Sequence, residues 1–322
     1  MSKLSRIVMG LLTATIALVA AAADQPYPAK AVRFIVPFAP GGATDLLART
    51  IGEKLAASLG QPFIIDNRPG AATQVGAQIV AKSASDGYTL LMATSTTLAI
   101  NVSLYSKLPY DPVKDFAPVS LVASQPFVLV INPELPVKSI RELIALAKSR
   151  PGLLNYATSG SGSAAHLAMA LFQAMTGIDV VHVPYKGGAP ALVDIMGGQV
   201  AMMFDNTALA YIKSGRLRAL GVSTRNRLPV MPDVPTISEA GVPGYEMAAW
   251  QGVVTTAGTP RAVVEKLNAE IVKLLGLPEV QARLSMDGGE VTPSTPEQFA
   301  AYIASEISRF AKIVQDAGAR VE

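Results

Sequence analysis

Two glycine-rich segments, residues 38–45 and 158–163, each follow an apolar run and precede a helical pattern. Both have the residue types that can bind an anion. A helix that begins at such a loop offers free backbone N–H groups, its dipole adds partial positive charge, and glycine lets a ligand approach the backbone closely. Ordinary turn formation is the alternative for either loop. Their position at the carboxyl ends of strands in separate halves of the chain favours a ligand role.

The second loop also fits two enzymatic interpretations. Gly160, Gly162 and Ala165 match the dinucleotide pattern G-x-G-x-x-A, but the acidic residue expected at the end of the next strand is missing. A hydrolase would use Ser161 and His166, although the chain has only two histidines and no G-x-S-x-G elbow. An exported serine hydrolase is the alternative function, and no cofactor is expected.

Three other polar residues have positions that matter for a site. We interpret His166 as facing a ligand, because it lies in the first turns of the helix after the second loop, and His182 as a structural residue of a strand. Asp205 ends an apolar run, where it either contacts a ligand or caps a helix. The chain has no cysteine and no zinc, calcium or paired-carboxylate pattern. The sequence therefore predicts no metal site.

The elements that position these residues alternate between strand and helix. Short apolar runs predict strands, and apolar residues spaced three or four apart predict helices. The predicted strands are 31–38, 63–66, 88–94, 127–131, 155–159, 180–185, 200–204, 218–223 and 250–256. The predicted helices are 47–59, 73–82, 164–175, 189–196 and 207–214, with further helices capped at Thr259-Pro260 and Thr295-Pro296. Repeated βαβ units predict an α/β fold with mainly parallel sheets.

Length and charge limit the remaining possibilities. The chain has 322 residues, more than the roughly 250 to 300 at which a single core stops growing, so two domains are expected. The 27 basic and 24 acidic residues give a formal charge of +3 without a basic block. Nucleic acid is therefore not expected as a partner.

The first 23 residues have the composition of a secretory signal peptide. Lys3 and Arg6 precede an uncharged run from Ile7 to Ala23, which ends in three alanines. Small residues at that point suit signal peptidase, and the run is shorter than the roughly 20 strongly apolar residues of a membrane span. We expect cleavage near Ala23 and an exported, soluble mature protein.

Several motifs of the mature chain together resemble those of one family. They are YPAK at 27–30, IVPFAPGGATD at 35–45, DNRPGA at 66–71, DGYTL at 86–90, LPYDPVKDFAPV at 108–119, VPYKGG at 183–188, DVPT at 233–236 and AGTP at 257–260. Each motif is loose, but their order and spacing resemble the tripartite tricarboxylate transporter receptors, also called Bug receptors. The resemblance covers nearly all of the mature chain.

This resemblance implies a periplasmic solute-binding protein with the type II, or Venus flytrap, fold. Two α/β domains would be joined by crossing strands, with domain 1 formed by residues 24–124 and 249–322 and domain 2 by residues 125–248. The receptor, expected to be a monomer, would capture a small carboxylate in the cleft and deliver it to the membrane subunits of the transporter. It would catalyse no reaction.

The resemblance also implies how the ligand is held. Backbone amides and bridging waters at the first loop and at the corresponding loop of domain 2 bind carboxylates in this family. The segment 94–97 and Asp205 should also face the cleft, while none of these segments supplies Lys or Arg. The predicted ligand-binding residues are Phe38, Ala39, Gly41, Gly42, Thr44, Asp45, Thr94, Ser95, Thr97, Thr158, Ser159, Gly160, Ser161, Gly162, Ser163, His166 and Asp205.

Overall fold

Two β-sheets form the framework of the protein, and the computed structural model describes residues 27–285 and 288–318. The predicted signal peptide, 1–23, lies outside the described residues. The strands are β1 Val32–Val36, β2 Phe63–Asn67, β3 Thr89–Thr94, β4 Phe116–Pro126, β5 Val128–Ile131, β6 Asn155–Thr158, β7 Val181–Pro184, β8 Met202–Asp205, β9 Arg218–Val222, β10 Ala248–Thr256 and β11 Glu290–Val291. Their positions agree closely with the apolar runs of the sequence, except that β4 and β11 were not predicted.

Helices connect most of the strands. The α-helices are α1 Ala43–Leu59, α2 Gln74–Ala81, α3 Asn101–Leu104, α4 Ile140–Ser149, α5 Ala164–Thr176, α6 Gly188–Met196, α7 Leu209–Lys213, α8 Arg261–Leu275, α9 Pro278–Leu284 and α10 Pro296–Asp316. A π-helical segment, Thr96–Ile100, leads directly into α3. Within the described ranges no helix is long and apolar enough to cross a membrane.

Each sheet belongs to one α/β domain, which confirms the predicted two-domain class. The first sheet has the strand order β11-β4-β10-β3-β1-β2, and the second has the order β7-β6-β8-β5-β9. The prediction of mainly parallel sheets was wrong, because both sheets are mixed. In the first sheet β10 is antiparallel to β3 and β4, and in the second β5 is antiparallel to β8 and β9.

The antiparallel strands are those that carry the chain between the domains. β4 pairs with β10 along nearly its whole length, and only Phe127 separates β4 from β5 in the second sheet. A chain that passes from one sheet directly into the next has no crossover helix to make it parallel to its neighbours. The domain boundaries given above stay a prediction.

Helix caps follow the sequence at one predicted site and differ at another. Thr295 accepts a hydrogen bond from Gln298 N while Gln298 bonds back to Thr295 N, so the predicted cap of α10 is a complete capping box. The predicted Thr259 cap is wrong. Pro260 occupies the cap position of α8, and Thr259 Oγ1 instead donates to the Thr256 carbonyl at 2.7 Å.

Candidate functional site

A small cavity lies between the two domains, where strands β1, β3, β6 and β8 end. The space open to the centres of water molecules there is about 60 Å³. Its walls are formed by Phe38, Gly42, Ala43, Thr44, Thr94, Ser95, Thr96, Phe127, Ser159, Ala164, Ala165, Gly188, Met203, Phe204, Asp205, Asn206, Thr207, Ala249 and Gln251. Seven predicted residues, namely Phe38, Gly42, Thr44, Thr94, Ser95, Ser159 and Asp205, are therefore brought together.

The first glycine-rich loop brings the open start of α1 to this cavity. Gly42 is the N-cap residue of α1, and no side chain in the described part of the chain caps the helix there. Gly41 has φ of +89°, a backbone conformation that favours glycine. Gly42, Ala43 and Thr44 all line the cavity. Backbone N–H groups of an uncapped first turn can bind an anion without a basic side chain.

Asp45 stabilises this loop and does not line the cavity. Its carboxylate accepts hydrogen bonds from Gly41 N at 2.9 Å, from Arg49 and from Asn67. Burial opposes its ionisation, but the bonds from Arg49, Gly41 and Asn67 outweigh burial and hold the pKa of Asp45 below its usual value. Ala39 and Gly41 also lie off the cavity wall.

Several backbone N–H groups of the second glycine-rich loop already donate hydrogen bonds within the protein. Gly160 N donates to Thr158 Oγ1 at 3.2 Å, and Gly162 N donates to His166 Nδ1 at 3.0 Å. Ser163 caps α5 by accepting from His166 N. This helix start therefore offers fewer free donors than the start of α1.

Only Ser159 of this loop reaches the small cavity. Gly160, Ser161 and Ser163 line an adjoining and wider cavity of about 330 Å³, which shares Phe38 and Ser159 with the first and lies between the second loop and residues 69–73. Thr158, Gly162 and His166 line neither cavity. The ligand contacts predicted for these residues stay predictions, and the structure places six of the seven away from the small cavity.

His166 belongs to a stack of three rings beneath the second loop. Its ring lies 4.2 Å from that of His182, which in turn lies 5.0 Å from the ring of Tyr156. His182 Nε2 forms a 2.7 Å hydrogen bond with Thr158 Oγ1. No hydrogen bond joins Ser161 to His166 among the described residues, because His166 Nδ1 accepts from Gly162 N. The stack therefore shapes the second loop.

Acidification should destabilise the fold through this stack. Burial lowers the pKa of His166, and burial together with the charge of His166 lowers the pKa of His182 to about 4. Histidine in the unfolded chain binds a proton near pH 6.5, so the unfolded state holds more protons as the pH falls from about 6.5 toward 4. We expect the free energy of unfolding to drop by about 1–3 kcal/mol between pH 7.5 and 5, after a discount for the partial exposure of His182.

Urea denaturation at the two pH values measures this loss. The double variant His166→Asn with His182→Gln keeps hydrogen-bonding atoms near both rings and removes both titrations. The chain has no other histidine, so this variant should lose most of the pH dependence. An unchanged pH dependence would assign the effect to other groups.

The end of β3 adds hydroxyl groups to the opposite wall of the cavity. Ser95 is fully buried, and its Oγ has no hydrogen-bond partner among the described residues. Thr96 Oγ1 accepts a hydrogen bond from Ala164 N across the domain interface at 3.0 Å. Thr97 points away, since its Oγ1 donates to Thr73 Oγ1 at 2.9 Å, and it does not line the cavity.

Asp205 is both a turn-stabilising residue and part of the cavity wall. Its carboxylate Oδ1 accepts from Thr207 N at 2.7 Å and from Thr207 Oγ1 at 2.9 Å. The side chain is 2% exposed and is the only charged group on the described cavity wall. These bonds form a turn and not a helix cap, because the N-cap residue of α7 is Ala208 and has no side-chain cap bond among the described residues; contact with a ligand stays a prediction.

Gln251 and the start of α6 were not predicted from the sequence. Gln251 on β10 lines the cavity, and its Oε1 is buried without a partner in the described chain. Gly188, the first residue of α6, also lines the cavity, and no side chain of the described residues caps that helix. Gln251 could have been noticed in the sequence as the one side-chain amide within the otherwise mainly apolar run of β10.

The two domains touch each other at the edge of the cleft. Ala39 N in the first loop donates to the Lys186 carbonyl in domain 2 at 3.0 Å. A Cβ added at Gly187 would lie 3.3 Å from Ala39 Cβ, which shows how closely the two backbones approach. The two domains are therefore in contact across the cleft.

Comparison with known proteins gives consistent matches along the whole chain. A sequence model described as tripartite tricarboxylate transporter family receptor matches residues 47–319. Protein BugT of Bordetella pertussis is 41% identical over 318 residues, which cover 98% of this chain and 98% of BugT.

Two solved structures share the fold and contain carboxylates. The structure of R. palustris Rpa4515 with adipate has a TM-score of 0.89 and 39% identity, and the match covers 92% of this chain and all of that chain. MatC from Rhodopseudomonas palustris with bound malate has a TM-score of 0.86 and 37% identity, covering 89% of this chain and all of that chain.

Proposed function

The chain belongs to the tripartite tricarboxylate transporter receptor family, whose members are periplasmic receptors and not enzymes, and on this basis we propose that it captures a small carboxylate between its domains. The observation that carries the proposal is the uncapped start of α1 on the wall of an interdomain cavity. Delivery of the ligand to the membrane subunits of a transporter is part of the proposal.

The ligand carboxylate binds to the first turn of α1. Gly42, Ala43 and Thr44 present backbone at the cavity, and no Lys, Arg or His lies among its described lining residues. A helix N-terminus favours negative charge through its dipole, with typically 0.3–1 kcal/mol from the dipole alone and more in a partly buried site. Bridging waters complete the hydrogen bonding around the ligand, because polar groups such as Ser95 Oγ lack a hydrogen-bond partner among the described residues.

The ligands of two relatives support this carboxylate class. Rpa4515 was solved with adipate and MatC with malate. Both molecules carry two carboxylates on a short chain, and both proteins match nearly the full length of this one. A small dicarboxylate or an aromatic carboxylate is the proposed ligand here.

We also propose a location and an oligomeric state for the receptor, by analogy with its family. We propose that residues 1–23 direct export, that cleavage near Ala23 leaves Asp24 as the mature N-terminus, and that the mature receptor is a monomer. Intact mass and light scattering of the exported protein measure both properties. Retention of the first 23 residues would contradict the cleavage, and a dimer mass would contradict the monomer.

Carboxylates should raise the melting temperature of the purified protein. A ligand at 100 times its dissociation constant stabilises the folded state by about 2.7 kcal/mol, which corresponds to a rise of roughly 5 °C for a chain of this size. Differential scanning fluorimetry with a panel of mono- and dicarboxylates should identify the ligand. Neutral sugars and simple amines are the matched controls, and a panel in which only these controls shift the melting temperature would reject the carboxylate proposal.

A further inference from the structure

Gln251 holds a buried carbonyl oxygen for which the described residues offer no donor. The residue lies on β10, is 2% exposed and lines the cavity between the domains. Its Oε1 accepts no hydrogen bond within the described chain. A buried acceptor without a donor is costly, so most such groups in proteins are paired with protein, water or ligand. The oxygen therefore indicates a missing hydrogen-bond donor.

The neighbouring amides fix the orientation of this group. Gln251 Nε2 donates to Gln125 Oε1 at 3.1 Å, and Asn206 Nδ2 donates to the same oxygen at 3.0 Å. Because both donors converge on one acceptor, the amide nitrogen of Gln251 is committed to Gln125. The opposite end of the amide, Oε1, is buried and is the unpaired end of a side chain that lines the cavity.

This network also connects the ligand cavity to both domains. Gln125 and Gln251 lie on the paired crossing strands β4 and β10, and Asn206 follows β8 in domain 2. Asn206 and Gln251 line the cavity themselves. A ligand that binds Gln251 thus contacts a group that is connected through Gln125 to Asn206 of domain 2.

The cavity has donors on one wall and acceptors on another. The first turn of α1 supplies backbone N–H groups, whereas Gln251 Oε1 and the Asp205 carboxylate supply acceptor oxygens. A ligand carboxylate suits the first wall and is repelled by the acceptor oxygens of the second. The complementary ligand has a carboxylate at one point and a hydrogen-bond donor at another.

We propose that Gln251 selects carboxylates that carry a hydroxyl or ammonium group over the same carbon skeleton without one. The inference rests on the proposed carboxylate-binding function and adds the residue that discriminates among carboxylates. A hydroxyl and an ammonium group share one property here, because each can donate a hydrogen bond to Gln251 Oε1. One hydrogen bond of this kind corresponds to a preference of about tenfold.

Calorimetry with matched ligand pairs tests this selection. Succinate is compared with malate and aspartate, and glutarate is compared with 2-hydroxyglutarate and glutamate. The wild-type protein should bind at least one substituted member about tenfold more tightly than its unsubstituted partner. The malate and aspartate arms separate a hydroxyl donor from an ammonium donor.

Gln251→Met keeps the length of the side chain and removes the acceptor. It should reduce the preference, measured as the ratio of the affinities for the substituted and unsubstituted ligands, to within about twofold, because that ratio cancels any general change in binding. Gln251→Asn withdraws the oxygen by one methylene and provides the same readout if the methionine variant folds poorly. Thr292→Val is the matched control, because Thr292 Oγ1 is also buried and unpartnered among the described residues but lies off the cavity wall.

The outcomes distinguish the two proposals. If no carboxylate binds to the wild-type protein, the proposed function fails and the inference fails with it. If carboxylates bind but the wild-type protein prefers the unsubstituted member, or the preference survives in Gln251→Met, only the role of Gln251 is rejected.

Discussion

Gly187→Val is expected to weaken ligand binding by about a hundredfold while both domains stay folded. Gly187 precedes α6 at the edge of the cleft, and an added Cβ would lie 3.3 Å from Ala39 Cβ and 3.4 Å from Ala39 N. The two further methyl groups of valine cannot fit between these backbones. The Ala39 N–H bond to the Lys186 carbonyl, 3.0 Å while the domains are in contact, would break as the domains separate.

The size of this effect follows from the population of the closed form, in which the domains are in contact. A ligand that binds only the closed state has an apparent dissociation constant equal to the intrinsic value divided by the closed fraction. A clash that costs about 2.7 kcal/mol lowers that fraction, and the affinity, by about a hundredfold. Calorimetry measures the affinity, and small-angle scattering with saturating ligand measures whether the variant still becomes more compact.

Gly215→Val provides the matched control within domain 2. Gly215 has φ of +72°, so valine is strained there as well, but no atom of the described chain lies within 4 Å of its Cβ position. The control should lose stability and retain affinity. Equal losses of affinity in the two variants would trace the effect to backbone strain and refute the closure argument.

The sequence predicted the site best where its residues belong to one continuous segment of the chain. Residues 37–42 connect β1 to α1, so the change from a strand pattern to a helical pattern located the loop and its open helix start. The strand and helix alternation likewise predicted the α/β class. These features depend on local periodicity and on glycine, which a single sequence records directly.

The mixed sheets could not be predicted from the same periodicity. β4 contains Pro118 and Pro126, and proline within a run argues against a central strand. The strand nevertheless forms, because it pairs antiparallel with β10 along its length and tolerates two irregularities in register. The direction of a strand is set by its partner, and the partner of β4 lies more than 120 residues away.

The two glycine-rich loops looked equivalent in the sequence and differ in the structure. The second loop pairs its amides with Thr158 and His166, and Ala164 N at the start of α5 donates to Thr96 of the other domain. Thr158 and His166 lie within four residues of the amides from which they accept, so only the contact with Thr96 depends on tertiary packing. Gln251 was missed for the same reason, because its function depends on Gln125 and Asn206.

Gly252 lets α10 pack closely against β10, next to Gln251. It is the next residue on β10, at an irregularity in the register with β4. A Cβ at Gly252 would overlap the ring of Phe299 and would lie 2.9 Å from the Ser120 carbonyl oxygen. Phe299 is fully buried on α10. The absence of a side chain at 252 therefore lets α10 pack directly on the crossing strand beside the cavity.

Gly252→Ala should accordingly reduce the free energy of unfolding by about 3 kcal/mol, at the upper end of the usual cost of overpacking a core. Phe299→Leu alone should cost about 1–2 kcal/mol by leaving unfilled space. In the double variant the smaller side chain makes room for the new methyl group, so the combined loss should fall short of the sum by about 1 kcal/mol or more. The rescue should be incomplete, because the Ser120 carbonyl belongs to the backbone and cannot move aside. Urea denaturation of the four proteins measures this coupling, and additive losses would show that Phe299 is not the obstacle at Gly252.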